Sequence, residues 1–448
     1  MSPLFVLDII AEVGGALQQV FGEIAALASQ ATGVIQRQRK FDAHSLLKTF
    51  VLGFLQNPRA GDEELAQMAA QCGTNVTPQA IEQRHTPALV AFLESVFRES
   101  VKLVIRSNQA LAPILQRFAS VVLLDSSTFT LPDEMQTQFR GCGGSYGSGA
   151  AAMKLQTEFD LRSGALSHME IEPGRSPDGA SHRQHARRGA NSLRIADLGY
   201  FNVAVFAAMT AIGEYFLSRL QFGTAIMLRD GQGVEMLHWL EKQPGGFVDQ
   251  PVLLGKEQRL PCRLIAWRLP AALANRRRRK LRRETLDKRG QEPSTERLAW
   301  CDWTIMVTNV PLDMLTPPEA VVFYRARWQI ELLFKRWKSQ DLVAALSGST
   351  PVRQMVRVWS RLIGAVIQHW LLLASAWGDP TKSWSKVCEA IRPFVGRIAA
   401  GLPQWSELTR AITDLCQAVA KTCRRNQRSK PGTFELLNDV HRLDFGLT

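Results

Sequence analysis

Two short, mostly apolar runs, each closed by an aspartate, constrain this chain more than any other feature: VVLL before Asp125 and LRIA before Asp197. Runs of this length bounded by turn residues are too short for buried helices and read as strands covered on both faces. MKLQTEFDL (153–161) and LSHMEI (166–171) alternate apolar and polar residues around RSG, which predicts a hairpin. In that hairpin Glu158, Asp160 and Glu170 fall in the polar phase, so a solvated strand face is expected for them. TAIMLR (224–229) and WTIMVTNVP (303–311) read as further strands. SHRQHARRGANS and the run from Phe201 to Leu220 read as helical, and Gly199 as permitting a turn after Asp197.

Helical patterns flank this region. Residues 1–118 read as a helical N-terminal domain. Within it, a helix opened by Asp62, a break at Gly73 and a second helix opened by Thr77 and Pro78 resemble a helix-turn-helix. Two simply packed helices would give the same pattern. The two parts of the core, 119–230 and 301–378, the second a strand followed by two long helices, enclose an interruption at 231–300, and 379–448 reads as a helical C-terminal region. The expected fold class is therefore α/β. A mixed sheet flanked by helices, in the order of an RNase H-like core, carries a β-rich insertion between helical ends.

With 54 Lys+Arg against 41 Asp+Glu, the chain carries a net charge of +13 and calls for a polyanionic partner. Nucleic acid and a membrane surface both satisfy that charge. No uncharged run reaches the roughly 18 residues that span a bilayer, and the apolar N-terminus carries Asp8, Glu12 and Glu23 without a basic leader. A membrane is not expected. The 7 cysteines show no CxxC spacing, which fits a reducing cytoplasm better than a disulfide framework or zinc site.

Asp125 and Asp197 stand where buried strands emerge, which is where open α/β sheets place ligand groups. Turn capping is the commoner role for one such aspartate. Two together suit metal-dependent phosphodiester chemistry, in which two cations about 4 Å apart activate the nucleophile and neutralise the leaving oxygen. Magnesium takes hard oxygen ligands of this kind.

A long helix from about Pro317 to Lys338 supplies a third carboxylate. Tyr324, Arg327, Glu331 and Lys338 project into one narrow stripe, joined by Lys335, while Leu332, Leu333 and Trp337 form the expected packing face. A salt-bridged solvent face would also pair Glu331 with Lys335. The mixture of phenol, guanidinium, carboxylate and amines favours a metal ligand among phosphate contacts.

Tyr-x2-Arg-x3-Glu-x6-Lys, filled by Tyr324, Arg327, Glu331 and Lys338, resembles the YREK signature of bacterial insertion-sequence transposases, in the DDE group named after insertion sequence four. LLDSSTFTLP around Asp125 and IADLGYF around Asp197 agree with it, and the resemblance spans roughly residues 40–378. It implies a cut-and-paste DNA transposase with two Mg2+ ions, replaceable by Mn2+. Asp125 would bridge both ions, and Asp197 and Glu331 would each complete one. It further implies terminal inverted repeats and target DNA as substrates, a hairpin intermediate, and a homodimer that cuts in trans. Tyr324, Arg327 and Lys338 would contact phosphates near the hairpin. Trp303 lies near the family's stacking tryptophan, although a buried strand would equally use it as a core ring.

Arg276, Arg277, Arg278, Arg279, Lys280, Arg282 and Arg283 form a block too dense for an ordinary helix face and favour sequence-independent phosphate contact. His182 and His185 stand beside Arg183, Arg187 and Arg188 and suit phosphate better than zinc. Two rival functions remain: an RNase H-like nuclease without strand transfer, and a catalytically silent DNA-binding protein.

Overall fold

The two aspartate-ended runs become neighbouring strands of one sheet. The computed structural model describes residues 3–37, 40–143, 150–339, 350–426 and 430–443. Its strands are β1 (Ser120–Leu131), β2 (Ala151–Asp160), β3 (Leu166–Pro173), β4 (Ser192–Ala196), β5 (Tyr215–Arg219), β6 (Ile226–Met227), β7 (Gly233–Val234), β8 (Phe247–Leu254), β9 (Leu260–Arg268) and β10 (Trp303–Thr308). The sheet order is β3-β2-β1-β4-β5-β10-β9-β8-β6-β7. β1 pairs with β4 in parallel from Ser120 opposite Ser192 to Leu124 opposite Ala196, and β4 pairs with β5 in parallel. β2 and β3 form the expected antiparallel hairpin. This is the mixed sheet of an RNase H-like core. The strands between β5 and β10 extend the same sheet antiparallel to one another, accompanied by the helices Met236–Glu241, Ala271–Arg289 and Thr295–Trp300.

Several local expectations are corrected. The run 201–220 holds a short helix, Val203–Ala211, and then β5, because Gly213 at φ 75° breaks the helix. The basic segment after β3 is a single 3-10 turn, His182–His185, since Gly189 and Asn191 with positive φ stop any helix from forming. TAIMLR contributes only Ile226–Met227 to the sheet. Glu158 and Asp160 are not solvated, being 2% and 7% exposed. All of β2 is buried, because it is an interior strand of the sheet, so its polar phase never reaches water. Asp160 instead closes the hairpin, its carboxylate accepting from Arg162 N–H at 3.1 Å and Ser163 Oγ at 2.5 Å.

The chain divides into two compact units. The first comprises Met1–Leu111, Asp125–Ser176 and Gln329–Gln427; the second comprises Ala112–Leu124, Pro177–Trp328 and Arg428–Thr448. In the first, the helix Pro351–Ala376 is the core element, buried almost throughout from Gln354 onward, and the helices Ala43–Gln56, Pro87–Ser100 and Trp405–Lys421 pack around it. The β2–β3 hairpin docks on the same helix. Gly164 at its turn has φ 75°, and a Cβ there would stand 2.5 Å from Leu373 and 2.8 Å from Trp377, so no side chain fits. His369 Nε2 meets the Gly164 carbonyl at 2.7 Å, and the Trp377 ring packs edge-on against Phe159.

The helix-turn-helix expectation fails in the same unit. Thr77 caps the second helix through Ala80 N–H, but that helix is only Pro78–Glu82. At about 1.5 Å per residue it is too short to lie along a groove. Asp62 at the start of the first helix is clamped by Arg353 and by His85.

The second unit has its own core between the sheet and its helices, with Phe206 stacked on Phe216 at 4.3 Å. Residues 433–443 return to pack on the helix Pro317–Ala326, burying Phe434, Leu436, Leu437 and Leu443. Among the described residues, no helix is long and apolar enough to cross a membrane.

Candidate active site

Leu124 and Ala196 are register partners; Asp125 follows Leu124 within β1, and Asp197 is the first residue past the end of β4. The local sequence supplies both strands: the mostly apolar runs form buried, parallel-paired segments, and an aspartate follows each. Asp125 is half-buried and accepts from Ser126 N–H at 2.8 Å. Asp197 is exposed, and its carbonyl accepts from Tyr200 N–H at 3.0 Å in the turn Leu198–Tyr200. Gly199 in that turn sits close to Asp178, since a Cβ there would lie 3.1 Å from Asp178 Oδ2.

The signature residues lie on two consecutive helical segments, Pro317–Ala326 and Trp328–Ser339, joined by Arg327. Arg327 keeps helical angles, but its N–H bonds to Tyr324 in a tighter i→i+3 turn at 3.2 Å. Pro317 opens the first segment, and Glu319 reaches back to Thr316 N–H at 2.8 Å and to Arg117 at 2.9 Å. Burial pushes the Glu319 carboxyl up, but these hydrogen bonds outweigh it and hold the group below its ordinary value.

In the second unit, Tyr324 sits beside Asp197, Arg219 and Arg327 and shares a hydrogen bond with Arg327. Burial first and the Asp197 charge second raise its phenol above the ordinary value, against both arginines. The proton therefore stays on at neutral pH, making Tyr324 a donor. Arg219 ends β5, two residues past Leu217 as Asp197 is two past Ile195, and those residues are paired. The sequence reading missed it because a lone arginine after a short strand carries no signal until β4 and β5 are known to be neighbours.

In the first unit, Glu331 is half-buried and Lys335 and Lys338 are exposed. Lys338 Nζ stands 5.0 Å from the Phe129 ring, so the end of the signature helix lies on β1. Partial burial draws this ammonium below its ordinary value. The packing face is Leu333, Phe334, Arg336 and Trp337, whereas Leu332 is 37% exposed and does not belong to it. Arg336 is buried over the Trp384 ring at 4.9 Å, an aromatic seat that nothing in the helix sequence could announce.

These acids, cations and strand ends invite comparison with known proteins. The Transposase DDE domain family matches residues 116–367. The chain belongs to the DDE transposases. The transposase for insertion sequence element IS231F of Bacillus thuringiensis subsp. israelensis is 27% identical over 445 residues, covering 91% of this chain and 90% of that protein. That for IS231B of Bacillus thuringiensis subsp. berliner is 27% identical over 360 residues, 75% and 74% of the two chains. That for IS1151 of Clostridium perfringens is 23% identical over 339 residues, 69% and 70%.

A DDE transposase is a polynucleotidyl transferase, and its domain implies a divalent metal requirement. Asp125, Asp197 and Glu331 each carry hard carboxylate oxygens of the kind divalent cations prefer.

Two expectations about DNA contacts are corrected in this transposase. Trp303 is 3% exposed in the core of the second unit, so no open face remains for a base; the buried β10 strand claims the ring for packing. The exposed aromatic of the signature helix is Trp328, 44% exposed and next to Arg327. Arg277 and Arg278 face inward: Arg277 donates to the Trp303 carbonyl at 3.1 Å, and Arg278 pairs with Asp302.

Tyr324→Phe removes the phenolic hydrogen bond to Arg327 while keeping the ring. One hydrogen bond of this type contributes about 1 kcal/mol, so transposon-end cleavage should slow by roughly fivefold. Single-turnover rates on labelled DNA ends measure this; a variant as fast as wild type would remove Tyr324 from the chemistry.

Proposed function

We propose that this transposase excises an insertion sequence from duplex DNA and joins its ends to a target, with Asp125, Asp197 and Glu331 holding two magnesium ions that manganese can replace. The single observation that carries the reading is the β1–β4 register, which makes Asp125 and Asp197 successors of paired residues on adjacent parallel strands. The spacing of Tyr324, Arg327, Glu331 and Lys338 supports it for Glu331.

Held by Asp125, Asp197 and Glu331, divalent ions would supply Lewis acidity to the phosphodiester reaction. The protein residues do the rest. Arg219, Arg327, Lys335 and Lys338 offset the phosphate charge, and the protonated Tyr324 donates to a phosphate oxygen instead of repelling it. Cleavage through a hairpin exposes a base, and Trp328 offers the ring that buried Trp303 does not. A homodimer on paired terminal inverted repeats completes the proposal.

Incubating the full-length protein and Mg2+ with labelled DNA carrying the inverted repeats of its own element tests this. Hairpinned ends and joined products are expected. Nicks without joining would replace the proposal with a nuclease, and mobility shifts without cleavage in either metal would leave a DNA-binding protein.

A further inference from the structure

The helix Ala271–Arg289 in the second unit has two unlike faces. At about 100° per residue, Ala274, Arg277, Arg278, Leu281 and Thr285 share one side. That side is the docked one: Ala274 is 2% exposed, Arg277 and Arg278 bind the Trp303 carbonyl and Asp302, and the other two residues are half-buried. Arg276, Arg279, Lys280 and Arg283 project from the opposite side within an arc of roughly 100°. All four are exposed. Lys280 reaches Glu284 at 3.6 Å, and Arg282, at the margin, reaches Glu292 at 3.6 Å. Among the described residues, the side chains of Arg276, Arg279 and Arg283 make no ion pair or hydrogen bond.

We propose that this helix is a rail for the sugar-phosphate backbone of duplex DNA, with Arg276, Arg279, Lys280 and Arg283 on the phosphates and Arg277 and Arg278 serving only to fix the helix to β10. The inference rests on the DNA-transposing function above and assigns it a second contact surface, on the insertion. Like charges at i, i+3 and i+4 destabilise an isolated helix, so an arrangement that keeps three arginines unneutralised points to an external polyanion. A bilayer does not fit, because a membrane-surface helix needs a free apolar face and here the face opposite the cations is docked on protein. From Arg276 to Arg283 the helix rises about 10 Å, over which one strand of B-DNA presents about three phosphates. Burial first, and the neighbouring Arg219 charge second, pull Arg277 down to about 10, as expected of an anchor and not of a solvated contact.

The test is the salt dependence of binding by the full chain to two duplexes of unrelated sequence. For R276Q/R279Q/R283Q the slope of log affinity against log salt should shrink by about 2 to 3, equally on both duplexes, since each lost phosphate contact removes about 0.9. For R277Q/R278Q the slope should stay near wild type while the melting temperature falls. An unchanged slope in the triple variant, with a wild-type melting curve, overturns the rail. An equal slope loss in the double variant overturns the division between contacts and anchors. Loss of binding to single-stranded RNA or anionic vesicles, but not to duplex DNA, overturns the partner. Binding is read without metal, so a wild-type protein that never cleaves would sink the catalytic proposal and leave the rail measurable.

Discussion

Glu331→Gln leaves the full-length transposase folded and bound to DNA but lowers metal-dependent cleavage of element ends by on the order of a thousandfold or more. The amide preserves the shape of the half-buried side chain, so the packing of Leu333, Phe334 and Trp337 behind it is undisturbed. What disappears is the negative charge that a hard cation requires. Leu332→Gln, one residue further and 37% exposed, is the matched control and should cleave at close to the wild-type rate. Calorimetric titration with Mn2+ gives a readout independent of turnover, in which Glu331→Gln should bind more weakly. Activity within tenfold of wild type would remove Glu331 from the metal site, whatever the sequence signature implies.

The second large effect concerns stability against pH. His369 is fully enclosed between the long helix and the β2–β3 hairpin, against Phe159 and the Gly164 carbonyl. Burial, reinforced by the nearby Arg336 charge, holds its imidazole down to about 4, despite the hydrogen bond to Gly164 that opposes the shift. In the unfolded chain the same group takes a proton near 6.5. Between those values the unfolded state binds more protons, so stability drops as pH falls, by up to about 3 kcal/mol once pH 4 is reached. His369→Gln keeps a donor for Gly164 and removes the titration. Urea unfolding of the first unit at pH 7 and pH 5 should show wild type losing clearly more stability than the variant. Parallel losses in the two proteins would mean that the imidazole titrates normally.

The strands that lead into Asp125 and Asp197 were legible because short-range pattern is enough to specify them. An aliphatic run ended by aspartate predicts a buried strand and an emerging carboxylate, and β1 and β4 formed within a residue or two of the expected bounds. The helix expected from about Pro317 to Lys338 formed as two consecutive segments, Pro317–Ala326 and Trp328–Ser339. What stayed hidden depends on neighbours distant in sequence. Glu158 looks solvated until β2 is known to lie inside the sheet. Trp303 is a candidate stacking ring until a core closes over it. Arg277 and Arg278 cannot be told from Arg276 and Arg279 by composition; the carbonyl of Trp303 and the carboxylate of Asp302 separate them.

The return of residues 433–443 onto the helix that carries Tyr324 sets a condition on biosynthesis. A ribosome delivers that helix about a hundred residues before the segment that covers it, so its apolar flank waits, uncovered, through the last part of translation. Nascent protein interrupted before residue 433 would present that flank to chaperones and proteases. Prematurely terminated copies of the gene should therefore be cleared from the cell before they can compete for transposon ends.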